Sequence, residues 1–151
     1  MYQIKRTNAA DIDFQNLVSA LDKDLAIRDG DEHAFFAQFN KIEALKYVVV
    51  IYEKENAIAC GAIKAYNEHC IEIKRMFVLP EKRGKSIASL VLRELESWAK
   101  ALGYQKAILE TGVKQPEAIR LYQKNNFYSI KNYGQYVGVA SSVCFEKILA
   151  H

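Results

Sequence analysis

The run Arg83-Gly84-Lys85-Ser86-Ile87-Ala88 is basic and small and stands where a helix begins, and residues of that kind at that place can hold an anion. Small side chains allow close approach to the backbone N–H groups that a first helical turn leaves unpaired, and the helix dipole favours negative charge there. A phosphate is the natural occupant; an ordinary basic helix start is the other reading of the same residues. Gly84-Lys85-Ser86 also ends like a nucleoside-triphosphate P-loop, but that motif needs a glycine five residues before Gly84, and the chain has Leu79 there. The P-loop reading fails.

The element that presents this run is the helix behind it. Ile87, Leu90, Val91, Leu95, Trp98 and Leu102 recur at spacings of three and four, with Arg93, Glu94, Glu96 and Lys100 between them. One face is therefore core and the other solvent. Gly103 follows as a stop signal, and Pro80 keeps the preceding strand from running smoothly into the turn. Upstream, Tyr2 to Thr7 reads as a strand, and Asn8 or Asp11 caps a helix through Phe14, Leu17, Val18, Leu21 and Leu25. Asp29-Gly30-Asp31 breaks that helix, and His33 to Phe39 reads as a second, shorter one whose phenylalanines are core or a pocket wall. The β-branched and aromatic run Tyr47 to Tyr52 is a strand, Glu53 to Asn56 a hairpin turn, Ala57 to Tyr66 the next strand, and Cys70 to Leu79 the third of a meander.

Beyond the long helix come a short apolar run at Ala107-Ile108-Leu109, a helix from about Pro116 to Asn125, an extended stretch Phe127 to Ile130, an aromatic loop 132–138 and a last strand over Ser142 to Ile148. Pro116 fits a first helical turn, where its missing N–H costs nothing. The strand–helix–strand order around the long helix implies a parallel crossover.

With 151 residues, half of them apolar, the chain suits a single domain spanning 1–151 with a proper core. A formal charge of +3, with no basic run or basic-aromatic stripe, argues against nucleic acid as a partner. Cys60, Cys70 and Cys144 are scattered and lack metal-ligand spacing, so buried reduced thiols are expected and a metal is not. No segment reads as a leader or a membrane span, and a soluble cytoplasmic protein is expected.

The order of elements and three local motifs resemble the GNAT superfamily of N-acetyltransferases across essentially the whole chain, in the manner of a small bacterial member. The family's acetyl-CoA signature Q/R-x-x-G-x-G/A is similar to Arg83-Gly84-Lys85-Ser86-Ile87-Ala88, with Ser86 where the family has its middle glycine. Ala118-Ile119-Arg120-Leu121-Tyr122-Gln123-Lys124-Asn125-Asn126-Phe127 resembles the A-x-x-L-Y-x-x-x-G-F block, with Asn126 in place of glycine. Glu72 to Pro80 resembles the strand before the phosphate loop. Leu109-Glu110-Thr111-Gly112, Gln115-Pro116-Glu117-Ala118, Tyr133-Gly134-Gln135-Tyr136 and Ser142 to Lys147 resemble one bacterial subgroup.

The resemblance implies an α+β fold (α/β in the broad sense) with a mixed, mostly antiparallel sheet of six to seven strands and helices on both faces. It implies acetyl transfer from acetyl-CoA to a primary amine by direct attack in a ternary complex, with no metal. Met76, Phe77 and Val78, the loop and helix start Arg83, Gly84, Lys85, Ser86, Ile87 and Ala88, and Gln115 would then bind the cosubstrate. Tyr122 sits where the family places its general acid. With reference values near 10 for tyrosine and 8.5 for a thiol, protonating the departing thiolate costs roughly 2 kcal/mol. Glu72 sits where some members place their base, although a carboxylate falls roughly 8 kcal/mol short of direct abstraction from an ammonium. Glu110 is the reserve base and, with Arg75, Tyr133 and Tyr136, a candidate substrate contact; Arg75 could instead pair with Glu72 or Glu110. A small-molecule amine is the expected acceptor. A peptide or protein amine, or a silent CoA-binding regulatory module, is the alternative, and the family would allow a homodimer through the last strand.

Overall fold

The computed structural model describes residues 1–30 and 44–149, so the helix expected over His33 to Phe39 lies outside the described residues. Strand β1 spans Tyr2–Thr7, helix α1 Ile12–Asp29, and strands β2, β3 and β4 span Tyr47–Glu53, Asn56–Ala65 and Cys70–Val78. A 3-10 turn at Pro80–Lys82 leads into α2 at Ile87–Ala101, followed by β5 at Lys106–Gly112 and α3 at Pro116–Lys124. Strands β6 at Tyr128–Ile130 and β7 at Ser142–Ile148 close the chain, with a 3-10 turn at Gly134–Tyr136 between them. Capping follows the expected chemistry: Asp11, not Asn8, caps α1 by accepting the Phe14 N–H, and Gly30 ends the helix at φ 56°.

The strands form one seven-stranded sheet in the order β1-β2-β3-β4-β5-β7-β6. Every pairing is antiparallel except β4 with β5, the parallel crossover that the strand–helix–strand order required. Val48, Val49, Val50 and Ile51 are all fully buried, as befits a central strand covered on both faces. Val48 and Val50 pack with Phe14, Leu17 and Val18 of α1 on one face. Val49 and Ile51 pack with Val91, Leu92 and Leu95 of α2 on the other, where Tyr122 of α3 joins Phe127 and Phe145. The buried stripe of α2 runs through Ile87, Val91, Leu92, Leu95 and Ala99, so Leu92 belongs to it, while Leu102 falls beyond the helix and is 39% exposed.

Strand β4 changes phase midway. Ile71 and Ile73 face α2, but Phe77 faces α1 and Val78 faces α2 again. The register gives the cause: Cys60 pairs with Phe77 and Ala62 with Lys74, which leaves Gly61 opposite both Arg75 and Met76. This is a β-bulge, and Arg75 adopts the left-handed region at φ 61° to make it. Gly61 is the residue that permits it. A Cβ there would stand 2.7 Å from Met76 Sδ, 2.8 Å from Val91 Cγ1 and 2.9 Å from Leu95 Cδ1.

Gly61→Ala must push three side chains apart in a packed core at once. It should destabilise the fold by about 1–3 kcal/mol, read as a lower urea midpoint with unchanged slope. A midpoint equal to that of the parent would show that the bulge and α2 are not in register at this contact.

Candidate functional site

The parallel pairing of β4 and β5 lasts only from Cys70–Lys106 to Glu72–Ile108. Beyond it the two strands follow different neighbours. β4 stays with β3 as far as Val78 opposite Ala59, and β5 stays with β7 as far as Gly112 opposite Ser142. The sheet therefore splits, and a cleft of about 460 Å³ occupies the gap. Its walls are Met76, Phe77 and Val78 of β4, the loop and first turn of α2, Thr111 of β5, and one side of α3 including Gln115 and Tyr122.

The loop explains how a helix start becomes a receptor. Gly84 and Ser86 both have positive φ, 79° and 64°, and Ser86 serves as N-cap of α2 without a side-chain capping bond. The N–H groups at the head of α2 are left without intrahelical partners and open on the cleft, a suitable lining for an anion. Arg83 is fixed beside them: its Nε donates to the Val78 carbonyl at 3.0 Å, its guanidinium lies 5.5 Å from the Phe77 ring centroid, and Asp24 of α1 is 3.9 Å away. Of the residues expected to bind the cosubstrate, all but Lys85 line this cleft; Lys85 is exposed and lies outside the lining. The sequence reading missed Leu21 and Asp24 of α1 and Thr111, because no local motif links those elements to the loop.

Tyr122 is held by the way α3 ends. Phe127 N–H donates to the Tyr122 carbonyl and Asn126 N–H to the Gln123 carbonyl, the paired bonds of a Schellman cap, with Asn126 at φ 71°. That cap brings its own hydrophobic contact, here the Tyr122 and Phe127 rings edge to face with centroids 5.8 Å apart. Asparagine in the family's glycine position thus adopts the left-handed conformation expected of it. Tyr122 is 5% exposed, and burial together with the Glu110 charge raises its hydroxyl well above the ordinary tyrosine value. It is protonated at neutral pH and across the mildly alkaline range.

Glu72, Glu110, Tyr133 and Tyr136 gather on the other face of the sheet. The Tyr133 hydroxyl donates to Glu72 Oε2 at 2.6 Å, and the Ser142 hydroxyl to Glu110 Oε2 at 2.8 Å. Tyr133 stacks edge to face on Tyr66 at 5.4 Å and on Tyr136 at 5.8 Å. Burial first, and then the Glu72 carboxylate, raises the Tyr133 hydroxyl far above its usual range; Tyr136 is raised by burial and by both carboxylates. Asn132 Nδ2 reaches the carbonyls of Tyr136, Val139 and Ser142 at 3.0–3.2 Å and so pins the aromatic loop. Arg75 departs from expectation. Its side chain is 3% exposed and its Nη1 donates to Asp22 of α1 at 3.0 Å, so it pairs with neither Glu72 nor Glu110, because the bulge turns it toward α1.

The three free cysteines are buried, as expected, and no group of metal-ligating side chains is found among the described residues. Among those residues no helix is long and apolar enough to cross a membrane.

A family model described as the acetyltransferase (GNAT) family matches residues 14–127. An IAA acetyltransferase of Azospirillum brasilense is 40% identical over 93 residues, 61% of each chain, so the match spans less than two thirds of that relative's length. Among solved structures, a Klebsiella pneumoniae protein described as a "putative acyl-CoA N-acyltransferase" superposes with a TM-score of 0.82 at 29% identity, over 99% of both chains. The PaiA N-acetyltransferase of Thermoplasma acidophilum, solved in complex with coenzyme A, shares the fold at a TM-score of 0.73 and 16% identity, over 98% of this chain and 99% of that one.

Ser86 carries a left-handed strain of roughly 1 kcal/mol that glycine would not. Ser86→Gly should raise stability by a few tenths to about 1 kcal/mol, a gain of up to about 4 °C in Tm. A lower Tm would mean that the hydroxyl itself supports the loop.

Proposed function

The chain belongs to the acetyltransferase (GNAT) family, and on that premise we propose that it transfers an acetyl group from acetyl-CoA to a primary amine of a small molecule, by direct attack in a ternary complex. The observation that carries this reading is the shared cleft: one opening in the sheet holds an anion-receptive helix start at one end and a buried, protonated tyrosine, Tyr122, on its wall.

The residues present fit CoA. The loop at Arg83 to Ala88 and the head of α2 suit a pyrophosphate, and the edge of β4 at Met76 to Val78, unpaired by β5, suits an extended amide-bearing arm such as pantetheine. Bound acetyl-CoA supplies a thioester carbonyl open to attack by an amine nitrogen. The two carboxylates and the tyrosine cluster on the opposite face suit an amine acceptor, with Glu72 and Glu110 favouring its positive charge beside the rings of Tyr133 and Tyr136.

Roles for individual groups follow from their positions. Tyr122 keeps its proton at the hydroxyl and offers it to the sulfur as the carbon–sulfur bond breaks. Its raised pKa makes complete transfer to a thiolate more uphill than the reference values allow, so a hydrogen bond to the developing charge is its main contribution. For the amine proton, the register favours Glu110. Glu72 stands at the last paired position of β4 and β5 and receives the Tyr133 hydroxyl, whereas Glu110 lies two residues farther along β5, where the strands have parted. An amine attacks through its lone pair, so the acceptor must arrive neutral or lose its proton as the new carbon–nitrogen bond forms.

Tyr122→Phe should lower kcat by about 10²-fold or more while acetyl-CoA affinity, measured by calorimetry, stays within a few-fold. Unchanged turnover would remove Tyr122 from the acid role. Wild-type kcat should show no alkaline limb at the ordinary tyrosine value, since the proton-donor form persists above it. Glu110→Gln should depress kcat more than Glu72→Gln; the reverse order would return the base role to Glu72. Acetyl-CoA binding without turnover across a panel of small amines and peptides would make the chain a CoA-binding module instead.

A further inference from the structure

Arg75 has the conformation of a strained residue and the environment of a structural one. Its φ of 61° lies in a region that costs a non-glycine residue roughly 1–2 kcal/mol, and an outlier of that size persists only where its surroundings hold it. Two contacts do so. The Cys60 thiol donates to the Arg75 carbonyl at 3.4 Å from the neighbouring strand, and the side chain, 3% exposed, pairs with Asp22 of α1, which is 49% exposed. The Arg75 Nε is buried without a partner, and among the described residues the Nη1–Asp22 contact is what compensates the buried guanidinium. The next three residues, Met76, Phe77 and Val78, are the β4 wall of the cleft.

We propose that Arg75 is a positioning residue: the Asp22–Arg75 pair clamps the bulge of β4 and thereby sets the direction of the Met76–Val78 edge that receives the acyl carrier. The function rests on the CoA reading above; the clamp itself does not. The pair connects an exposed carboxylate on α1 to a backbone edge inside the cleft. Helix α1 is tied to the same cleft at neighbouring positions, since Leu21 lines it and Asp24 approaches Arg83. Loss of the Asp22 charge leaves the guanidinium uncompensated, so the side chain is driven to seek water and the bulge loses its anchor. At the phosphate end of the cleft, Gly84, Ser86 and the head of α2 make no hydrogen bond or ion pair with Arg75 or Asp22 among the described residues; Arg83 is the link between the two ends, through the Val78 carbonyl and the Phe77 ring.

The test separates the two ends of the cleft. In Asp22→Asn, CoA affinity by calorimetry should fall about tenfold, while adenosine 3′,5′-bisphosphate, which lacks the pantetheine arm, should bind within about twofold of wild type. Asp22→Glu, which keeps the charge, should recover most of the loss. In the ligand-free protein, Asp22→Asn should shift the Met76, Phe77 and Val78 amide resonances and leave those of Gly84 and Ser86 in place. Equal losses for both ligands, or unmoved Met76–Val78 resonances, would overturn the proposal. A wild-type chain that binds no CoA would overturn the acetyltransferase reading and the positioning role with it, while the ligand-free resonances would still report whether the clamp exists.

Discussion

Two parallel strands that pair for three residues and then separate govern this molecule. The pairing from Cys70–Lys106 to Glu72–Ile108 fixes β4 and β5 in one sheet, and their divergence opens it without breaking it, because each strand keeps its other neighbour. An open sheet interior exposes backbone N–H and C=O groups that must find partners, from the chain, water or a ligand. The chain meets part of that need itself, with Arg83 capping the Val78 carbonyl. What stays open is an edge of peptide groups facing the head of a helix, a lining suited to a long molecule with amides along its arm and phosphates at its end.

The bulge at Arg75 and Met76 divides the labour between the two faces. Without it, Arg75 would follow Ile71 and Ile73 toward α2, and a guanidinium would enter the larger apolar core. With it, Met76 and Val78 face α2 and the cleft, while Arg75 and Phe77 face α1. The acidic and tyrosine-rich cluster of Glu72, Glu110, Tyr133 and Tyr136 lies on the α1 side, and the Tyr122 ring on the α2 side. Groups suited to an amine and groups suited to a thioester are thus separated by the thickness of a sheet that is open between them. Glu110 stands two residues beyond the last β4–β5 pair, at the start of the opening, and its charge helps raise the hydroxyls of Tyr122 and Tyr136.

Features set by local chemistry were legible in the sequence. The period of α2, the β-branched run of β2, the stop at Gly30 and the parallel crossover follow from patterns that act within a few residues or from chain connectivity. The Asn126 cap was legible too, since asparagine at a glycine position signals a left-handed residue. The bulge was not. Lys74-Arg75-Met76 contains no glycine or proline, and the apolar run Met76-Phe77-Val78 ends the alternation of β4 without marking a bulge. The partner of Arg75 lay further out of reach, because Asp22 is 53 positions away on a helix whose register against the sheet depends on the whole core. For the same reason Lys85 read as part of the loop's binding surface, although sequence adjacency does not say which side chains of a turn point outward.

The strained positions show where the sequence yields to the site. Among the described residues four that are not glycine have positive φ: Lys54 in the β2–β3 hairpin, and Arg75, Ser86 and Asn126. The last three surround the cleft, one at the β4 bulge, one at the head of α2 and one at the cap that holds Tyr122. Each costs of order 1 kcal/mol against an ordinary backbone conformation, and together they are a sizeable fraction of a typical domain's net stability. A glycine would remove the strain at any of them, but at Arg75 it would also remove the side chain that ties β4 to α1. Strain retained at that position therefore has a physical reason that strain at Ser86 lacks, since Ser86 makes no side-chain capping bond. The bulge is held by a side-chain contact between elements at the strained residue itself, whereas the turn at Ser86 has its side-chain anchor at Arg83, three residues earlier.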